Sequence, residues 1–382
     1  MRVTVEPATI TKLLSKAVSV LKADPVSGST SRGFGRLQVA GGRLGVTAIG
    51  PTLALTASVP YDDEAAEDGA CGCNLESLAD MLKFVPSGEK VILDYRHDDG
   101  VASFLLVKVG RSKFKSACLH HEVFKPVVPD GTAFLKMDSE ALVAALAAVE
   151  FASMSVDADN VRCNILLTSF GGKVYAAATN GIECGLLETQ TLSESGKCFV
   201  PSKVARCLSK ALTRGEVAIQ LADQHVCMVQ EGCVLRFSKP LEAESKFPDL
   251  TKLLAVQHVG RAEVAAERLR DAVLACKQVS KDELLLALRG GDLTLWAKSQ
   301  LDGSEYSGVE GVIRDDDGKA IEAGMCPSLM AEFLSRVKTE KVTLEFSTGN
   351  NDRGWPNHVK MTDGERLTFF VKSLAVMSVS PA

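Results

Sequence analysis

Apolar and polar residues alternate along this chain in short runs, and one order of runs occurs three times. Each copy carries a Gly-Gly pair followed by an alternating segment, which predicts a tight turn that leads into a β-strand. The three segments are GGRLGVTA at 41–48, GGKVYAAA at 171–178 and GGDLTLWA at 290–297. Because equivalent segments recur in the same order, the pattern indicates an internal repeat.

Each of these strands is followed by a predicted short amphipathic helix. The helical segments NLESLADML, VPSKVARCL and CPSLMAEFL begin at positions 74, 200 and 326, a constant spacing of 126 residues. A further strand follows each helix, in the segments KVILDY, EVAIQL and KVTLEF. The apolar positions of the three helices coincide, and they are Leu78, Val204 and Met330, then Met81, Cys207 and Phe333, then Leu82, Leu208 and Leu334.

A longer helix opens each copy, and its apolar positions match as well. They are Ile10, Leu142 and Leu269, then Leu14, Leu146 and Val273, then Ala17, Val149 and Cys276. The first two copies also close alike, with RSKFKSACLHHEVFKP and VLRFSKPLEAESKFP. So many ordered features in each copy are typical of duplication.

Each copy therefore consists of a strand, a helix, several strands, a second helix and several more strands. Two helices that share one face of antiparallel sheet are an α+β arrangement. We predict three repeated units with this plan, at 1–128, 129–256 and 257–382, joined by linkers around 126–131 and 255–260.

The composition is that of an ordinary globular protein. Of 382 residues, 46% are hydrophobic and 24% are charged, which is enough apolar material for sizeable cores. No apolar stretch approaches the ~18 residues of a membrane span, and the opening residues MRVTVEP do not resemble a signal peptide. We therefore expect a cytoplasmic protein without a membrane partner.

The eleven cysteines are scattered along the chain, without a CxxC pair. Cys71 and Cys73 are a close pair, but no second half of a metal site accompanies them. Free thiols in a reducing compartment fit this distribution better than a metal centre does. We expect no metal and no cofactor.

One stretch carries several basic side chains and no acidic one, although the net charge of the chain is −5. From Lys197 to Arg214 there are five basic side chains and no acid. On a single helix, Lys203, Arg206, Lys210 and Arg214 would fall within about 80° of the helical wheel. Such a face would attract a polyanion.

The other copies carry basic helices too. The predicted helix at 7–23 has Lys12, Lys16 and Lys22 without an acid, and the third copy adds Arg268, Lys277, Arg336 and Lys338 among several acids. Acids concentrate instead at 62–68, 94–99 and 314–319. A polyanion lying against the helices would gain counterion release without any reading of sequence. The alternative is that these bases are only a solvated surface.

Catalytic motifs are missing from the sequence. None of the patterns GxSxG, GxxxxGK[ST], HExxH or GxGxxG occurs. His120 and His121 are adjacent in a predicted strand, so their side chains would point to opposite faces. We therefore expect no enzymatic activity.

Three motifs resemble the bacterial sliding clamp, the beta subunit of DNA polymerase III. They are GRSKFKSACLHHEVFKP at 110–126, AATNGIECGL at 177–186 and KFPDLTKLL at 246–254. The resemblance covers the whole chain and implies a head-to-tail homodimer of three-domain chains, closed into a ring around double-stranded DNA. It also implies a nucleoid-associated, non-catalytic processivity factor whose partners are the DNA polymerase catalytic subunit and the clamp loader. The basic residues named above would then face the DNA.

The resemblance further implies a groove between the second and third domains that binds short partner peptides. Its wall would be Thr179, Gly181, Ile182, Cys184, Pro248, Lys252, Leu253, Phe370, Val371 and Leu374. Apolar walls with a rigid proline and a glycine suit a peptide anchor. The alternative is that the apolar members are ordinary core residues.

The sequence departs from the family pattern in the groove motif. Asn180, Ile182 and Glu183 replace Asp, His and Arg, and the C-terminal Met-Pro-Met-Arg-Leu is absent. These changes leave the identity of the partner peptides open. The alternative function is that of a clamp-like binding or scaffold protein which no longer encircles DNA.

Overall fold

The computed structural model describes most of the chain and divides it into two compact units. Unit 1 comprises Met1–Ala144 with Lys203–Leu241, and unit 2 comprises Ala145–Ser202 with Glu242–Ala382. The described residues are 1–24, 32–86, 88–96, 103–153, 161–191, 196–240, 247–289, 292–299, 304–311, 313–316, 321–347 and 358–372.

The longer helices form where the apolar periodicity predicted them, whereas the short helix at Leu250–Leu254 was not predicted. The α-helices of the described residues are α1 Pro7–Ala23, α2 Leu75–Leu82, α3 Ser139–Val149, α4 Ser202–Ala211, α5 Leu250–Leu254, α6 Ala266–Val279 and α7 Pro327–Arg336. Short 3₁₀ turns lie at His121–Val123, Glu150–Ala152 and Val161–Cys163.

The strands fall between the helices in the predicted order. They are β1 Arg2–Val5, β2 Phe34–Ala40, β3 Arg43–Ile49, β4 Leu53–Pro60, β5 Gly69–Asn74, β6 Val91–Arg96, β7 Phe104–Val109, β8 Ser112–Ala117, β9 Thr132–Asp138, β10 Asn164–Phe170, β11 Lys173–Thr179, β12 Glu183–Thr191, β13 Gly196–Pro201, β14 Glu216–Leu221, β15 His225–Gln230, β16 Cys233–Ser238, β17 His258–Ala265, β18 Leu284–Arg289, β19 Asp292–Lys298, β20 Glu305–Gly311, β21 Ile313–Asp316, β22 Ile321–Met325, β23 Lys341–Ser347, β24 His358–Thr362 and β25 Leu367–Lys372.

Unit 1 contains two antiparallel sheets. One has the order β1-β6-β7-β8 and the other has the order β5-β2-β3-β4-β16-β15-β14-β9. In the larger sheet, β4 from the first predicted copy pairs with β16 from the second, with Leu55 opposite Leu235. Helix α1 packs on α2 and on the hairpin of β3 and β4. The fold class of this unit is therefore α+β, as predicted.

Unit 2 repeats the same plan. Its larger sheet has the order β13-β10-β11-β12-β25-β24-β23-β17-β21, and its smaller sheet has the order β20-β19-β18-β22. Here β12 from the second predicted copy pairs with β25 from the third, with Gly185 opposite Phe369. Helix α6 packs on α7, β19 and β20. All strand pairs in this unit are antiparallel within the described residues.

The matched helix positions form the cores. Every one of the apolar positions aligned between the copies is buried, apart from Met81, which is half-buried. The Gly-Gly turns before β3 and β11 have positive φ angles. Gly41 and Gly42 have φ values of 55° and 72°, and Gly171 and Gly172 have values of 59° and 75°. The third Gly-Gly pair, at 290–291, lies outside the described residues. The repeat therefore corresponds to a repeated pattern of burial.

Two boundaries differ from the prediction. Helix α4 ends at Ala211, so Arg214 lies beyond it rather than on its basic face. The helix stops because the Thr213 amide donates to Gln230 Oε1 at 2.8 Å instead of to a carbonyl of the helix. The second difference is that β17 begins at His258, inside the predicted linker at 255–260.

Candidate functional site

Helix α4 has one apolar face and one basic face. Val204, Leu208 and Ala211 are fully buried, because their spacing places them on one side of the helix. Arg206 and Lys210 are exposed on the other side, and Lys203 is half-buried. The exposed part of this face could contact a polyanion.

Lys203 is engaged within unit 1 by a carboxylate from another element. Its Nζ lies 2.9 Å from Asp24 Oδ1, just after α1. The other oxygen of Asp24 accepts hydrogen bonds from the amide and the hydroxyl of Thr52. Burial acts to raise the pKa of Asp24, but the contacts with Lys203 and Thr52 hold this pKa below its ordinary value. Lys203 therefore neutralises a buried acid.

Lys16 is buried, which corrects its prediction as a DNA-facing residue. Only 5% of it is exposed, and its Nζ donates to the carbonyl oxygen of Ala211 at 2.8 Å. That carbonyl belongs to the last turn of α4, where carbonyls lack partners within the helix. Burial lowers the pKa of Lys16 below its ordinary value. Its role is therefore to join α1 to the end of α4.

The remaining bases differ in how they are engaged. Arg214 Nε lies 2.6 Å from Glu140 Oε1 in an exposed ion pair, and Arg336 Nη1 donates to the Ala147 carbonyl at 3.0 Å. Lys277 is half-buried. Lys12, Lys22, Arg268 and Lys338 are exposed. Within unit 1, the exposed lysines of α1 and α4 are thus Lys12, Lys22 and Lys210.

Three of the predicted groove residues of unit 2, Cys184, Leu253 and Phe370, belong to an apolar cluster or pack against it. The cluster consists of Leu166, Tyr175, Ala177, Cys184, Leu186, Phe199, Leu250 and Phe370, with Phe170, Phe247, Leu253 and Leu254 packed against it. Cys184, Phe370 and Val371 are thus core residues of the sheet. Leu253 is only partly buried, and Lys252 is exposed on α5. Leu374 lies outside the described residues.

A tight turn at 179–183 presents an apolar side chain to solvent. Asn180 Oδ1 accepts from the amides of Ile182 and Glu183 at 2.9 and 3.0 Å. Thr179 Oγ1 accepts from the amide of Gly181 at 3.0 Å, and Gly181 has a φ of 91°. Because an asparagine oxygen can make these bonds as an aspartate would, the turn survives the change from Asp. Ile182 is left 47% exposed at its tip.

Glu183 follows this turn and is almost entirely buried. Its Oε1 accepts from Asn180 Nδ2 at 2.7 Å, whereas its Oε2 has no hydrogen-bond partner among the described residues. Burial and the negative charge of Glu332 raise the pKa of Glu183 to about 8, and the bond from Asn180 opposes them. A neutral carboxyl therefore stands where the clamp motif has an arginine.

A cavity of about 570 Å³ lies beside α5, and its lining combines apolar side chains with polar and charged ones such as Thr168, Lys197 and Asp249. Its apolar lining consists of Leu166, Phe170, Phe199, Phe247, Pro248 and Leu250. Of the predicted groove residues that the structure describes, only Pro248 borders it. Phe170 and Phe199 were not predicted from the sequence, although Leu166 and Phe170 are separated by four positions in β10 and so share one face of it.

Several solved structures of bacterial sliding clamps have the same fold. The Pseudomonas aeruginosa sliding clamp, DNA polymerase III subunit beta, in complex with griselimycin has a TM-score of 0.84 and 22% identity, over 98% of this chain and 100% of that chain. The Caulobacter crescentus pol III beta has a TM-score of 0.83 and 19% identity, over 98% of this chain and 100% of that chain. The Thermotoga maritima DNA polymerase III beta subunit has a TM-score of 0.83 and 14% identity, over 98% of this chain and 99% of that chain.

This chain has the sliding-clamp fold. The clamp fold accounts for the full length of the chain, as the repeat predicted. No protein-family model matches the sequence, and no curated protein matches it either. Within the described residues, no helix of this clamp fold is long and apolar enough to span a membrane.

Proposed function

We propose that the protein is a DNA sliding clamp, a cytoplasmic processivity factor without catalytic activity. The observation that carries this proposal is the match of the entire chain to solved bacterial clamps, at a TM-score of 0.84 with 98% of the chain covered. Two chains of three clamp domains each, at 1–128, 129–256 and 257–382, would pair head to tail and close a ring around double-stranded DNA.

Contact with DNA would come from the exposed bases of the helices. Lys12, Lys22 and Lys210 are exposed and carry no ion pair within the part of the chain that is described. Flexible lysines reach phosphate oxygens without reading bases, which is what a sliding protein needs. Lys203 and Arg214 contribute less, because Asp24 and Glu140 neutralise them.

Partner binding would take place at the surface around Ile182, Pro248 and Leu253. We propose that peptides of the DNA polymerase and the clamp loader dock here, with Lys252 at the edge. An exposed isoleucine, a proline and a partly buried leucine offer the apolar contacts that anchor short peptides. Thr179 and Gly181 would shape the turn that holds Ile182.

Assembly is the first test of this function. A heterologous head-to-tail contact that closes requires a defined number of copies, here two. Light scattering at micromolar concentration should therefore give twice the 40.7 kDa of one chain. A mass of one chain under these conditions would contradict the ring, and would favour the alternative of a clamp-like scaffold that does not encircle DNA.

A further inference from the structure

Three side chains with different donor atoms meet at one edge of the eight-stranded sheet in unit 1. They are Asp130, His225 and Cys227, and their donor atoms all lie within 4.8 Å of one another. Asp130 Oδ1 is 2.6 Å from His225 Nε2 and 3.4 Å from Cys227 Sγ. Clamp function, as proposed above, uses none of these three residues.

Two separate segments of unit 1 carry these three residues, strand β15 and the residues just before β9. His225 and Cys227 are two positions apart in β15, so their side chains project from the same face of the strand. Asp130 precedes β9, and the next residue, Gly131, fits closely against the backbone of β14. A Cβ at Gly131 would lie 2.5 Å from the Leu221 carbonyl oxygen. The φ angle of Gly131 is 96°. The segment with Asp130 is therefore pinned to the hairpin of β14 and β15.

This donor set matches what zinc selects. Imidazole nitrogen, thiolate sulfur and carboxylate oxygen are its usual protein ligands, at about 2.0–2.3 Å. A tetrahedral ion with such bonds spaces its ligand atoms about 3.3–3.7 Å apart. The present distance from sulfur to oxygen is already 3.4 Å. The contact between His225 and Asp130 must open by roughly 1 Å, and both side chains are partly exposed.

The accessibility of the three groups fits a site with one open position. Cys227 is fully buried, His225 has 22% of its side chain exposed, and Asp130 has 54% exposed. Solvent therefore reaches the carboxylate side, where a water molecule could complete four ligands. The buried thiol would lie at the inner side of the ion.

Nearby charges determine how the site would bind. Burial raises the pKa of Cys227, so an arriving ion must displace the thiol proton. Arg236 lies opposite Cys227 in the neighbouring strand β16. The positive charge of Arg236 favours the thiolate form of Cys227 but repels a metal cation. A divalent ion with strong sulfur affinity is the kind that overcomes this repulsion.

We propose that Asp130, His225 and Cys227 form a three-ligand zinc site. The ion joins the segment between β8 and β9 to the β14–β15 hairpin, 95 residues later in the chain. In doing so it replaces the hydrogen bond between His225 and Asp130 by two metal bonds.

The test is a titration of the full-length reduced protein with cobalt(II), whose bond to a thiolate gives a near-ultraviolet charge-transfer band. One Co²⁺ per chain should produce this band, and Zn²⁺ should remove it by displacement. Cys227→Ser should abolish the band, and His225→Gln or Asp130→Asn should weaken binding by roughly tenfold or more. Cys233→Ser changes a buried thiol of the adjacent strand β16 and should leave the band intact.

The Asp130→Asn variant tests the site even if Cys227→Ser disturbs folding, because Asp130 is exposed whereas Cys227 is buried. Asparagine preserves the size of Asp130 and a hydrogen bond to His225, so Asp130→Asn should fold like the parent, as thermal unfolding can verify. The zinc site is contradicted if the parent protein shows no charge-transfer band. It is equally contradicted if the Asp130→Asn and His225→Gln variants bind cobalt as tightly as the parent.

Discussion

Glu183 is a carboxyl group that unit 2 buries, and among the described residues only one of its oxygens is hydrogen-bonded. Its pKa is raised from 4.5 to about 8, chiefly by burial. The folded protein therefore holds a proton that the unfolded chain releases between these two values. Stability should consequently fall as the pH rises from about 4.5 to about 8, and it should level off above that range.

Glu183→Gln should remove this loss, because glutamine resembles the protonated acid. The variant should be more stable than the parent above pH 8, by on the order of a few kcal/mol, and similar to it at pH 4. Urea unfolding across this pH range measures the difference. Glu365→Gln, at an exposed position, serves as the control and should change little. Equal pH profiles for the Glu183→Gln variant and the parent would contradict the burial of a neutral carboxyl.

Lys203 and Lys210 lie on the same face of α4 but should differ in their effect on stability. Lys203→Met leaves the buried Asp24 without its cationic partner, although the bonds from Thr52 remain, and should cost about 1–3 kcal/mol in free energy of unfolding. Lys210→Met changes an exposed side chain and should cost less than about 0.5 kcal/mol. Denaturant unfolding of both variants tests this. Adding Asp24→Asn should recover part of the loss in the Lys203→Met protein but none in Lys210→Met.

At the scale of elements, the helices were predictable and their charged contacts were not. Ile10 and Leu269 were assigned to equivalent core positions by periodicity alone, because a helix buries the same face wherever it packs on a sheet. The partners of Lys203 and His225 were not found, since they lie 179 and 95 residues away in sequence. No local pattern records such pairs. Phe170 and Phe199, which lie beside α5 but far from it in sequence, were missed for the same reason.

The turn before β12 and helix α5 together make the proposed partner surface, which a small ligand can probe. A short peptide taken from the DNA polymerase that works with this protein is the probe, because we propose that such peptides dock here. Ile182→Asp should weaken that binding by about 2 kcal/mol, if the exposed side chain is an anchor. Val259→Asp is the matched control, since Val259 is 46% exposed in the same unit. Calorimetry in which both variants bind like the parent would exclude Ile182 from the surface.

At the scale of the whole molecule, we expect a ring that holds DNA by topology and by loose charge interactions. Reversal of Lys12, Lys22 and Lys210 to Glu should weaken retention on DNA of any sequence. The logarithm of affinity should then depend less steeply on the logarithm of salt, by about 0.9 for each phosphate that the protein no longer neutralises. A salt series on two unrelated duplexes provides the measurement. Unchanged retention at every salt concentration would mean that these lysines are only solvated.

Encirclement of DNA is tested most directly by comparing circular with linear DNA. The protein is loaded onto a nicked circular plasmid with the clamp loader of its host, separated from free protein by gel filtration, and the plasmid is then cut once. A clamp that surrounds the duplex stays on the circle and slides off the ends after cutting. Protein that remains equally bound to the linear DNA, or that never stays on the circle, would contradict the clamp.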